Sequence, residues 1–217
     1  MTSDLDQRER HDLCDRFIAL GPDAPTLCAG WTTADLAAHL VVRERDPRSA
    51  PGILLGGRFE PFTERLMGGQ LARLGYEGVV AKVRSGPPAG PLRIPAVRHA
   101  MNLVEYFVHH EDVRRANGDG PRTDRPDLDA DLWSLVRRMF PLMVRRARLR
   151  GVRLVVDTPV GGRAAGPRAG AGIETVTLRG PVGELVLFLS GRGDAAEVEL
   201  DGSADAVAQV RAASFGI

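Results

Sequence analysis

The sequence predicts a mainly α protein, with a helical bundle over residues 1–150 and a small α+β unit over residues 151–217. Three observations carry this prediction. Apolar residues recur at helical spacing through the first two-thirds of the chain, and clusters of glycine and proline divide that stretch into segments. From Gly151 onward the pattern changes to the alternation of half-buried strands.

The first helix is expected from about Asp4 to Leu20, where Leu13, Phe17 and Leu20 form an apolar stripe. Gly21, Pro22 and Pro25 end it, and a loop leads to Trp31. Thr32 can cap a second helix running through Leu36, His39 and Leu40 to about Arg45, with Asp35 at its positive end. The stretch from Phe59 to Arg84 is helical in pattern but carries Gly68-Gly69 and Gly75, so two pieces or a kink are expected. After the break at Ser85–Pro91, the strongest helix runs from about Pro95 to Ala116 and stops at Asn117-Gly118. Another spans roughly Asp129 to Leu149, with a kink expected at Pro141.

In the last third, Val152–Val156 and Glu174–Leu178 read as strands. The glycine-rich stretch Gly161–Gly172 between them lacks the Gly-Lys-Ser/Thr ending of a phosphate loop, and so reads as a mobile connection. A short apolar helix at Gly183–Leu189, a strand around Glu197–Leu200 and a last helix capped by Ser203 complete the unit.

Composition narrows the function classes. The chain has 43% apolar and 26% charged residues, the balance of an ordinary soluble globular protein. A net charge of +1 gives no bulk field for nucleic acid or anionic membrane. Lys82 is the only lysine, an arginine bias better explained by a G+C-rich genome than by a binding function. No apolar run approaches the ~20 residues of a membrane span, and the acidic start lacks a secretory pattern, so a cytoplasmic protein is expected. Cys14 and Cys28 form neither a disulfide framework nor a Cys-x-x-Cys motif, and Cys14 falls on a buried helix face as a small inert thiol.

The chemistry concentrates in the helix around Glu105 and His109. Four residues apart on a helix, these two side chains share a face and can reach one metal ion. A third ligand must come from another helix, and His39, between Leu36 and Leu40 on a face that should be buried, is the candidate. Two histidines and one carboxylate leave a coordination position open for water or substrate, as catalytic sites do. Asp112 follows on the same face and can orient the His109 ring from behind. His110 points about 100° away and is the weaker ligand, and His11 and His99 read as surface or capping residues. Taken one at a time, a Glu-x-x-x-His pair is also an ordinary surface pair, and His39 an ordinary core histidine.

The segments Trp31-Thr-Thr-Ala-Asp-Leu-Ala-Ala-His39-Leu-Val-Val-Arg-Glu44 and Asn102-Leu-Val-Glu105-Tyr-Phe-Val-His109-His-Glu-Asp112 resemble the metal-binding domain of the mycothiol-dependent maleylpyruvate isomerase family. That family lies within the wider DinB-like group of four-helix bundles, and the second segment is most similar to an actinobacterial branch of it. Gly180–Arg192 is similar to the sterol-carrier-like domain that follows the bundle in the isomerases. Asn102 departs from the pattern, standing where many relatives carry arginine. The resemblance implies that His39, Glu105 and His109 bind a divalent metal, zinc first, and that mycothiol or a similar small thiol is the cosubstrate.

The implied activity is isomerisation of, or sulfur transfer to, a small electrophile. The metal would lower the thiol's pKa at neutral pH, and Arg192 could hold a substrate carboxylate. Arg192 also reads as an ordinary helix-end arginine. Two other classes are open: a non-catalytic metal-binding module that regulates a partner protein, and a metal-dependent hydrolase. The partners expected are small molecules, with neither nucleic acid nor membrane, acting on a monomer or homodimer.

Overall fold

In the computed structural model, residues 4–46, 60–88, 94–159, 162–166 and 172–215 are described. The chain forms two compact units, residues 1–120 and 121–217. The division falls one helix earlier than the expected boundary at residue 150, for a reason visible in the second unit.

Four described helices build the first unit: α1 (Leu5–Leu20), α2 (Thr33–Arg45), α3 (Glu60–Arg84) and α4 (Pro95–Ala116). Helix α1 packs on α4 and α3, and α2 packs on α3. The core is the meeting of their apolar stripes: Leu13, Cys14 and Phe17 from α1, Leu36 and Leu40 from α2, Val79, Val80 and Val83 from α3, and Tyr106 and Val113 from α4. Burial of each large aliphatic side chain contributes about 1.5–3 kcal/mol.

Local chemistry sets the helix ends. Thr32 and Asp35 form a reciprocal capping box at the start of α2: the Asp35 N–H donates to Thr32 Oγ1 at 3.4 Å, and the Thr32 N–H donates to Asp35 Oδ2 at 2.9 Å. Such a cap contributes about 1 kcal/mol and fixes where the His39-bearing helix begins. The interruption expected in α3 occurs at Gly75, whose φ of 65° and ψ of 172° suit only glycine. Gly68 and Gly69 stay helical. Pro95 opens α4 at a position where its missing N–H costs nothing, and Asn117 closes it by donating to the Val113 carbonyl at 2.7 Å.

The second unit contains α5 (Pro126–Ala147), β1 (Val152–Thr158), β2 (Gly162–Ala165), β3 (Glu174–Arg179), α6 (Val182–Leu189), β4 (Glu199–Asp201) and α7 (Ala204–Arg211). The sheet order is β2-β1-β3-β4, with β1 and β3 parallel and both outer pairs antiparallel. Leu154 lies opposite Val176 and Val156 opposite Leu178, so the inward residues of the central strands are in register.

Helix α5 buries Leu128, Leu132, Val136, Phe140 and Met143, and it packs on α6 and β2. That apolar face, rather than its place in the sequence, assigns α5 to the second unit. The helix continues through Pro141.

One expectation is corrected here. Within the glycine-rich stretch expected as a connection, Gly162–Ala165 is a strand paired with β1. Gly162 is there because Trp133 lies against it: a Cβ at this position would stand 2.1 Å from Trp133 Nε1. Gly161 and residues 167–171 of that stretch lie outside the described residues, as do Phe59 and part of the expected break at Ser85–Pro91.

Candidate metal centre

Helices α2 and α4 bring His39, Glu105 and His109 together. His39 Nε2 lies 3.6 Å from Glu105 Oε1, and His109 Nε2 lies 3.3 Å from the same oxygen. The three candidate ligand atoms all lie within 4.8 Å of one another. Ligands of one zinc ion, each about 2.0–2.2 Å from it, are spaced about 3.3–3.6 Å apart in a tetrahedral arrangement. The donor set therefore fits a divalent ion in both chemistry and spacing. The imidazoles of His39 and His109 meet edge to face with centroids 5.4 Å apart, and Trp31 lies against His39 at 5.0 Å.

Asp112 stands behind His109. The His109 Nδ1–H donates to Asp112 Oδ2 at 2.9 Å, which turns Nε2 toward Glu105 and the cluster. Asp112 is fully buried. His39 has no such partner: its Nδ1 is buried without a hydrogen bond among the described residues.

Two residues that the sequence did not single out complete the cluster. Arg43, one turn beyond His39 on α2, places Nε 2.9 Å from Glu105 Oε1. Its other nitrogens donate to Asn102 Oδ1 at 2.9 Å and to the Met101 carbonyl at 3.0 Å. Asn102 in turn donates to Glu44 at 2.9 Å, and Glu44 forms a buried two-point pair with Arg10 at 2.5 and 2.7 Å. Asn102 thus ties the site to a buried ion pair. The i, i+4 spacing of His39 and Arg43 was the available signal for this role.

Cys28 is the other addition. Its thiol donates to Asp112 Oδ2 at 3.2 Å and lies 3.9 Å from His109 Nδ1. No sequence pattern connects a loop cysteine to a residue 84 positions on. The link is tertiary, since the Leu27 N–H donates to the Asp112 carbonyl at 3.0 Å and docks the loop on α4.

Electrostatics divide the two imidazoles. Burial lowers the His39 pKa below the usual histidine value despite the opposing pull of Glu105, so this ring stays neutral. Burial also disfavours charge on His109. Hydrogen bonds with Asp112, Cys28 and Glu105 outweigh it and hold the His109 pKa well above the usual value. Burial alone would raise the Glu105 carboxyl, but Arg43 and the two histidines bring it well below the usual range. The cluster is a carboxylate with three cationic or potentially cationic neighbours, a charge pattern that a metal ion can enter by displacing the His109 proton.

The remaining candidates lie elsewhere. His110 faces away and pairs with the buried Glu9 at 3.1 Å. His11 is exposed, and His99 lies 3.6 Å from Asp6. Arg192 belongs to the second unit, where its guanidinium donates to the Ser190 carbonyl at 2.6 Å near the end of α6. Among the described residues, no helix is long and apolar enough to cross a membrane.

Fold and cluster together define a helical bundle with a histidine–carboxylate site between two of its helices. No family model and no curated protein matches the chain. Two solved structures are similar to it. The crystal structure of the mycothiol-dependent maleylpyruvate isomerase shares 18% identity over 91% of this chain and 90% of that one, with a TM-score of 0.48. A mutant of the same enzyme shares 16% identity over 90% of each chain, with a TM-score of 0.49. Neither similarity bears on the residues of the site or on the reaction.

Proposed function

We propose that this protein is a metal-dependent enzyme, zinc being the first choice of ion, that uses a small thiol such as mycothiol in isomerisation of, or sulfur transfer to, a small electrophile. The observation that supports it is the convergence of His39, Glu105 and His109, contributed by two helices, on a common point. The thiol rests on the motif resemblance at Trp31–Glu44 and Asn102–Asp112.

In this reading His39 and His109 offer Nε2 and Glu105 offers a carboxylate oxygen. Asp112 fixes the His109 tautomer and Arg43 holds the Glu105 carboxylate in place. A bound ion would supply Lewis acidity that lowers the pKa of a thiol entering the open position. Trp31 and the docked Thr26–Trp31 loop shield one side of His39 from water. A cytoplasmic location and a monomeric or dimeric state belong to the same proposal. Arg192, whose guanidinium donates to the Ser190 carbonyl at 2.6 Å, is the proposed holder of a substrate carboxylate.

The test is metal content of untagged protein, measured for the wild type, His39→Ala and Glu105→Gln, with mycothiol titrated into each. The proposal expects about one zinc per wild-type chain, as for one three-ligand site, with a large loss in both variants. Thiol binding should follow the metal. Metal without thiol binding would move the function to a hydrolase or a regulatory module, and no metal in the wild type would end the metal-dependent reading.

A further inference from the structure

His109 has two faces, and each looks toward a different set of ligand atoms. Its Nε2 looks toward Glu105 and His39. Its Nδ1 looks toward Cys28 and Asp112, and this second group also keeps its ligand atoms within 4.8 Å of one another. The separations are 2.9 Å for His109 Nδ1 to Asp112 Oδ2, 3.2 Å for Cys28 Sγ to Asp112 Oδ2, and 3.9 Å for Cys28 Sγ to His109 Nδ1. Zinc–nitrogen, zinc–oxygen and zinc–sulfur bonds of about 2.0–2.3 Å place such atoms about 3.3–3.7 Å apart, so small side-chain shifts suffice.

We infer that Cys28, His109 and Asp112 form a second, softer metal site that binds thiophilic divalent ions such as cadmium in place of the ion held by His39, Glu105 and His109. Three structural facts carry this. First, the site is built: Asp112 is fully buried and His109 nearly so. The Cys28 loop is held by the Leu27–Asp112 backbone bond, by the Trp31 N–H donating to the Cys28 carbonyl at 3.0 Å, and by the Cys28 N–H donating to Thr26 Oγ1 at 3.2 Å.

Second, both tautomers of His109 are provided for. With Nε2 as ligand, the Nδ1–H donates to Asp112. With Nδ1 as ligand, the Nε2–H has Glu105 Oε1 at 3.3 Å as its acceptor. A carboxylate on each side of the ring lets it turn either lone pair to a metal without leaving a buried N–H unpaired.

Third, the two donor sets differ in softness. A thiolate favours soft ions, whereas two imidazoles and a carboxylate suit borderline ones. A neutral imidazole has one lone pair, so the two sites exclude each other and each chain holds one ion. Binding at Cys28 releases the thiol proton to solvent. The inference shares His109 with the proposed zinc site but needs neither His39 nor thiol-dependent activity.

The experiment titrates cadmium alone into the chelator-treated full chain and follows the ultraviolet thiolate-to-cadmium charge-transfer band. The expected result is a band that saturates at about one ion per chain, survives His39→Ala and Cys14→Ser, and disappears in Cys28→Ser. Cadmium-113 resonance on the wild type provides a reading that needs no variant to fold, and a shift characteristic of one sulfur ligand is expected. A wild type without the band, a band that persists in Cys28→Ser, or a shift typical of nitrogen and oxygen ligands alone would overturn the inference. Loss of zinc retention in His39→Ala with the cadmium band intact separates the fate of this site from that of the first.

Discussion

Arg43 Nε and both histidine Nε2 atoms converge on a single oxygen, Glu105 Oε1, with the arginine nearest at 2.9 Å. Without a metal, Arg43 is the largest of the counter-charges, beside protonated His109, that let this carboxylate stay ionised between two helices. With a metal, the ion takes over much of that role. Arg43→Ala should therefore destabilise the metal-free protein by about 1–3 kcal/mol, the usual penalty for leaving a partly buried charged group short of a partner. The loss should be distinctly smaller when zinc is present. Calorimetric melting with chelator and with zinc checks this, and equal losses in the two states would contradict it.

Asp112→Ala should weaken zinc binding by about 10–100-fold, the range found when the carboxylate behind a metal-binding histidine is removed. The His109 ring would lose the acceptor that holds its tautomer. Competition against a zinc-selective fluorescent chelator measures the change. An unaltered affinity would mean that Asp112 does not orient the ring.

The pH dependence follows from the shifts of His109 and Glu105. His109 has a folded pKa raised above its unfolded value, near 6.5. Its contribution to metal-free stability is full below about pH 6.5 and is lost as pH rises through the raised folded value. Glu105 has a depressed folded pKa, so its contribution is full above about pH 4.5 and is lost as pH falls through the lower folded value. The metal-free protein should thus retain both contributions between about pH 4.5 and 6.5. Zinc must displace the His109 proton, so its apparent affinity should rise with pH through and beyond that window until the raised folded pKa is passed. Isothermal titration across a pH series tests this, and a flat profile would count against a protonated His109.

Breaking the buried pair of Arg10 and Glu44 should be costly. Arg10 is fully buried, also donates to the Val83 carbonyl at 2.8 Å, and lies 4.3 Å from the centre of the Tyr106 ring. Arg10→Ala should destabilise the protein by about 3–5 kcal/mol because Glu44 would be left buried without its cationic partner, keeping only the hydrogen bond from Asn102. Arg10→Met combined with Glu44→Leu should cost less than Arg10→Ala alone. Urea denaturation of both proteins decides it, and the reverse order would show that the pair contributes more than its replacement by apolar packing.

In the second unit, Gly162→Ala should destabilise by about 1–3 kcal/mol through overpacking against Trp133. The tryptophan would have to give way, so its fluorescence should shift together with the midpoint of unfolding. A neutral effect on both would mean that β2 adapts easily to a side chain.

Much of the architecture could be read from residue patterns because the deciding physics is local. The bounds of α4 follow from a proline that suits a first helical position and an asparagine that closes the last turn. The start of α2 follows from the Thr32–Asp35 exchange. Glu105 and His109 share a face because helix geometry requires it, and His39 could be joined to them because its neighbours Leu36 and Leu40 turn the same side of α2 inward. Strand β2 escaped because its small residues carry little alternation of their own, and it owes its place to pairing with β1 and to Trp133. Helix α5 was recognised but assigned to the wrong unit, since an amphipathic pattern states that a face is buried without stating against what.

The sequence by itself therefore determined the helices, the caps at Thr32 and Ser203 and the change to strands after Gly151, and it named three residues that the fold brings together. Only the tertiary structure decided that Arg43 and Cys28 join that centre, that α5 belongs with the sheet, and that His109 stands between two carboxylates. Caps and periodicity act over one or two turns of chain, whereas these last relationships depend on which surfaces pack together. The hydrophobic effect that drives such packing is non-directional, so no short segment encodes its outcome.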